Sequence, residues 1–260
     1  MTKRHRNDAI AVHISANTSH WTKENCIALK ILYVNASDIS EIIMTSQLDD
    51  HYKQLELKGW DRLASDYPSR KIATIMRKVA NVLRNEQEDH KKVDSFLMSL
   101  LEYLGFDDDP LLMHPQYDYS TFISNDRQIT SKVEYMITRG NAYVVLIVRG
   151  VSELTDWSEP QIAGAIFSSA YHNVSINGLS YPFNIYAVRV VSTKFTFYKA
   201  MVTRKYLEEC VHGLPIRNML DIKSYPPTEN NTLNAWDFAD EQDRIRILET
   251  FKGLRDAQFF

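Results

Sequence analysis

Apolar residues recur at helical spacing in the first part of the chain and at a spacing of two beyond about residue 115. From Ser69, a residue suited to an N-cap, Ile72, Ile75, Met76, Val79, Val82 and Leu83 line one face of a helix. A charged bridge, "RNEQEDHKK" (84–92), leads to a second stripe of Val93, Phe96, Leu97, Leu100, Leu101 and Leu104, closed by Gly105 as a C′ residue. The acidic "DDDP" (107–110) is a turn. "DYSTFIS", "ITSKVEYMITRG" and "NAYVVLIVRG" then read as successive strands, with Arg139-Gly140-Asn141 as a hairpin turn between the last two.

"EPQIAGAIFSSAYHN" is a helix with Ile162, Ile166 and Phe167 on one face and small residues where it can approach a sheet. "PFNIYAVRVVS" and "KFTFYKAMVT" form a second hairpin around Ser192-Thr193-Lys194. "TRKYLEECVHG" is a helix capped by Thr203 and ended by Gly213. An irregular stretch with Pro226-Pro227 precedes a last helix from about Asp240 to Leu254. Earlier in the chain, "AIAVHISA" (9–16) and "IALKILYV" (27–34) suit short strands. A short helix follows Ser37 and Asp38, and residues 50–65 read as helical. The expected fold class is α/β, a mixed central sheet flanked by helices. Residues 1–90 would form an N-terminal extension of strands and helices, and 91–260 the core with its C-terminal helix.

Composition narrows the function classes. With 44% hydrophobic residues, 8 Gly and 8 Pro, the 260-residue chain has the make-up of a globular protein. A net charge of −3 gives no global basic field, so protein partners are favoured over bare nucleic acid, which would need a local patch. Cys26 and Cys210 look like free thiols of a reducing compartment and belong to no zinc-type cluster. The start "MTKRHRNDAIAVH" has no apolar leader core, and no apolar run approaches the ~18 residues of a membrane span. The expectation is an intracellular protein without a membrane partner. Lys3-Arg4-His5-Arg6 suits a nuclear-import or phosphate-contacting tail, or else a solvated terminus. The eight histidines are scattered, and no serine-hydrolase or phosphate-loop pattern is present.

The order helix, three strands, helix, strand resembles the core of PD-(D/E)XK nucleases. The words "SEPQIAGAI" (158–166), "FTFYKAMVT" (195–203) and "DRIRILETF" (243–251) resemble, in that order, a group of such proteins common in fungi. The resemblance spans about 93–255. It implies a restriction-endonuclease-like fold, an acid on the second strand, and an acid-x-Lys motif on the third, which together hold Mg²⁺ and activate water.

On this alignment "LIVRG" stands in place of the metal motif, and it holds no carboxylate. Arg149 falls where the lysine would be. Glu134 would be the second-strand acid, with Asp118 and Glu102 as further acids nearby. Glu159 and Gln161 match the polar pair of the following helix, either facing the old cleft or serving as an ordinary first turn. A lone carboxylate beside an arginine holds a hard cation poorly. The implied reading is a catalytically inactive nuclease-like domain, acting as an interaction or scaffold subunit in a nucleic-acid-associated complex, with no cofactor. The alternative is an active Mg²⁺-dependent nuclease with displaced carboxylates, Glu153 or Asp156. Arg189, Lys194, Lys199 and Arg204, with Phe195 and Phe197, are candidates for a basic, aromatic nucleic-acid surface; the aromatic residues suit a core equally well.

Overall fold

The computed structural model describes residues 14–55, 67–84, 90–123, 127–150, 158–227 and 234–258. Among the described residues a 3₁₀ turn, Thr18–His20, comes first, followed by a short helix α1 (Lys23–Ala28) and strand β1 (Ile31–Asn35). Asp38 then accepts from the Ser40 amide at 2.8 Å, but the expected helix is a single 3₁₀ turn, Ile39–Glu41. It stops there because Ile42 and Ile43 turn into the core. Helix α2 (Asp50–Lys53) is all that the described residues retain of the helix expected over 50–65. Helices α3 (Arg70–Leu83) and α4 (His90–Tyr103) carry the two stripes. Ser69 caps α3 by accepting from the Ile72 amide at 3.3 Å, and Gly105 follows α4 with φ +75, a conformation that favours glycine.

Strands β2 (Leu111–Ile123), β3 (Arg127–Arg139) and β4 (Ala142–Arg149) form an antiparallel meander. Helix α5 (Ser158–Ser175) crosses over to β5 (Phe183–Val191), which lies parallel to β4. Strand β6 (Lys194–Val202) returns from β5 through the expected hairpin. Helix α6 (Arg204–His212) leads to β7 (Leu220–Tyr225), and β8 (Trp236–Asp237) precedes α7 (Glu241–Asp256), capped by Asp240. The sheet runs β1-β7-β6-β5-β4-β3-β2, with β8 pairing on β6. The fold class is therefore mixed α/β, a mixed sheet flanked by helices, with eight strands among the described residues.

Strand β7 was expected only as irregular chain. It is short, and its buried positions Leu220, Ile222 and Ser224 include one polar residue. It joins β1, which pairs with it in parallel, to the rest of the sheet.

Side chains alternate across the sheet into two cores. One lies under α3, α4 and α7 and contains Phe96, Ile147, Phe195, Phe197 and Phe251. The other lies under α1, α5 and α6 and contains Val148, Ile162, Phe167, Tyr198 and Tyr206. Segments on both sides of residue 90 contribute to each core: Ile72 and Met76 to the first, Trp21 and Ile31 to the second. Buried Asn173 locks α5 to β4, accepting from the Tyr143 amide and donating to its carbonyl, each at 2.8 Å. Cys26 and Cys210 are buried free thiols, and burial pushes both up to about 12. Among the described residues no helix is long and apolar enough to cross a membrane.

Candidate functional site

Strand alternation slips where the site forms. Val133 and Met136, three positions apart on β3, both enter the α5-side core, while Tyr135 enters the α4-side core. Opposite on β2, Gln116 has φ +50 and sits between the pairs Pro115–Tyr135 and Tyr117–Val133. This irregularity brings Glu134 beside β4 and beneath α4.

On β4, Ile147 and Val148 are fully buried in opposite cores, and Arg149 ends the strand on the α4 side. Its backbone amide donates to Glu134 Oε2 at 2.7 Å. One guanidinium nitrogen donates to both Asp94 oxygens, at 3.0 and 3.2 Å. The other lies 3.6 Å from Glu134 Oε1. Asp94 comes from the start of α4, whose backbone is tied to β3 by the Tyr135 hydroxyl donating to the Asp94 carbonyl at 2.7 Å.

The three side chains are largely enclosed, 22% exposed for Arg149, 24% for Asp94 and 13% for Glu134, so their charges are weakly screened. Burial pushes the Glu134 carboxyl above the usual carboxylate range, against the pull of the Arg149 amide and guanidinium; Asp94 adds to the rise. An ion pair would ordinarily lower this carboxyl. Here the guanidinium's short contacts go to Asp94, and the 3.6 Å contact to Glu134 is too long to offset desolvation.

Chemically, the trio is an arginine held between two carboxylates. Guanidinium has five donors, no acceptor and a permanent charge, so it cannot serve as a general base or as a metal ligand. Among the described residues no three His, Cys, Asp or Glu side chains come together as a metal-holding group. Glu153 and Asp156 lie outside the described residues, as does the Lys3–Arg6 run.

Glu134 and Arg149 are thus brought together, and Asp94, absent from the sequence expectation, completes the group. Its signal was faint: Asp94 precedes Leu97 and Leu101 at helical spacing, which puts an acid on the rim of the apolar stripe. Glu159 belongs instead to the α5 side, where its charge raises the thiol of Cys26 and the hydroxyls of Tyr33 and Tyr198 further above their burial-raised values. Its carbonyl accepts from Tyr33, and Gln161 is half-buried two positions along the same helix. Asp118 pairs across β2–β3 with Lys132 and is exposed.

The expected basic, aromatic surface does not assemble. Arg189 is 2% exposed on the α5 side and donates to Thr196 Oγ1 at 3.1 Å. Lys199 faces the other way, because it aligns with Tyr186 while Arg189 aligns with Thr196. Phe195 and Phe197 are fully buried. Lys194 lies at the hairpin opposite Asp237, and Arg204 is exposed on α6, paired with Glu208 at 3.2 Å. The chain matches no protein-family model, and no curated protein matches it.

Proposed function

We propose that this chain is a nuclease-like domain that no longer cleaves, a PD-(D/E)XK-type scaffold acting as an interaction subunit of an assembly that handles nucleic acid. The observation that carries this reading is Arg149, whose guanidinium occupies the space between Asp94 and Glu134. A fixed cation there repels Mg²⁺ and takes up the oxygens that a hard cation would need. The restriction-endonuclease-like fold is supported by the sequence of elements: α4, an antiparallel β2–β3–β4 meander, the crossover α5 and a parallel β5. A protein partner is favoured by the net charge of −3 and by the lack of a shared face for Arg189 and Lys199. A nuclear setting rests on Lys3-Arg4-His5-Arg6.

The test is a cleavage and binding assay on labelled single- and double-stranded DNA and RNA with Mg²⁺, Mn²⁺ or EDTA. The expected result is no metal-dependent cleavage. Cleavage that disappears in Glu134→Ala or Glu153→Ala would establish the alternative, an active nuclease with displaced carboxylates. Binding that weakens steeply with salt would make nucleic acid itself the partner.

A further inference from the structure

Strand β6 carries Lys199 on the α7 side of the sheet, in a row that runs from Lys223 on β7 through Lys199 to Tyr186 on β5. Phe195 and Phe197, earlier on the same face, pack on Phe251 of α7. Near Lys199 the last turn of α7 leaves an open cleft of about 340 Å³ between the sheet and the segment around Ile43 and Met44. Its apolar lining comes from Ile43, Met44, Ala257 and the Tyr186 ring, and its charged lining from Lys199 and Asp256.

Among the described residues the charges around this cleft are matched except at Lys199. Lys223 holds Glu41 at 2.6 Å, and Asp256 accepts from Lys252 at 2.8 Å. Lys199 has no carboxylate within ion-pair distance among the described residues. Burial, and next the charge of Lys223, pull its ammonium below the ordinary lysine range. Two of the hydroxyls nearby are spent as donors, Ser46 to Asp256 and Ser40 to Asp38, while Tyr186 accepts from Asn184 and keeps its own O–H. Among the described side chains of the lining, Lys199 is the cationic donor left for a ligand, with the Tyr186 hydroxyl beside it. The volume lies near the lower end of small-molecule sites, ~300–1,000 Å³.

We propose that this cleft binds a small organic monoanion, a carboxylate on a short apolar body, with Lys199 as its charge partner. One unmatched cation calls for one negative charge, since Asp256, the other charged group of the lining, is already matched by Lys252. The apolar wall accounts for the body. The site is independent of the nuclease-like reading, because Lys199 aligns through Tyr186 with Val145 near the start of β4, whereas Arg149 ends that strand.

The test is reductive methylation of the full chain with ¹³C-formaldehyde, which keeps lysine charge, followed by NMR titration with hexanoate, hexanol and inorganic phosphate. Lys199→Arg identifies the Lys199 resonance. The expected result is a saturable shift of that resonance with hexanoate, and a much weaker response to hexanol and phosphate. Saturation transfer to hexanoate should weaken about tenfold or more in Lys199→Met, and persist in Lys199→Arg. The proposal is overturned if hexanoate gives no saturable shift, if hexanol or phosphate binds as tightly, or if Lys199→Met binds hexanoate like the parent.

Discussion

Arg149 can sit at a strand end inside the fold because Asp94 and Glu134 meet it there, and removing the arginine leaves two enclosed carboxylates without their cation. Breaking a buried ion pair by deleting one partner typically costs ~3–5 kcal/mol; with each side chain here up to a quarter exposed, Arg149→Met is expected to cost about 1–3 kcal/mol in urea unfolding at neutral pH. Glu134→Gln should behave differently. Its amide oxygen can still accept from the Arg149 N–H, and it removes a carboxylate that burial already disfavours. Because that carboxyl is raised in the fold, ionising it erodes stability as pH climbs through its folded value. Glu134→Gln should therefore lie within about 1 kcal/mol of the parent at pH 7, with a flatter pH dependence above the ordinary carboxylate range.

Arg244, buried like Arg189, holds the turn before α7. Fully buried Arg244 donates to the carbonyls of Phe238 at 2.8 Å and Ala239 at 3.0 Å, and its guanidinium lies 5.6 Å from the Phe238 ring centre. Arg244→Met strands those carbonyls and is expected to cost ~2–4 kcal/mol by thermal or urea unfolding. At this scale the sequence was partly legible. Glu134 and Arg149 could be read because strand pattern and motif order both pointed to them. Asp94 could not, because it reaches the site only through the packing of α4 on β3, a tertiary fact.

Elements with strong local signals were legible almost to their ends. The Ser69 and Asp240 caps, the Gly105 terminus and the two hairpins each follow from residues adjacent in sequence. What escaped was set at long range: β7 exists by pairing with β6 and β1, and the slip at Glu134 depends on Gln116 across the ladder. The loop entering β7 has its own anchor. Glu209 on α6 accepts from the amides of Ile216, Arg217 and Asn218 at 2.7 to 3.2 Å, which lowers its carboxyl to about 2. A depressed carboxyl contributes stability that is present above its unfolded value, ~4.5, and lost as pH falls towards 2. Glu209→Gln should remove part of the acid-side slope between about pH 4.5 and 2, read by circular dichroism across that window. An unchanged slope would mean that the anchor does not hold in solution.

At the scale of the whole molecule, the sheet and its two cores draw on both sides of residue 90. The expected α/β class came through because helix and strand periods were clear, but the packing of the described segments before residue 90 into both cores was not visible in any local pattern. Each fully buried aliphatic or aromatic side chain contributes ~1.5–3 kcal/mol, and Ile42, Leu55, Ile72 and Met76 are among those supplied from before residue 90. A chain starting at residue 90 should therefore lose cooperative unfolding and bind a hydrophobic dye; a sharp, dye-free transition would make the core autonomous.

With Arg149 seated between Asp94 and Glu134, a divalent ion should find no place there. Electron paramagnetic resonance of Mn²⁺ titrated into the intact protein tests it most directly, with Glu134→Gln alongside. The expected result is that free Mn²⁺ signal is retained up to millimolar protein and is unaffected by Glu134→Gln. Stoichiometric Mn²⁺ binding that Glu134→Gln abolishes would contradict it and restore the site as a metal centre.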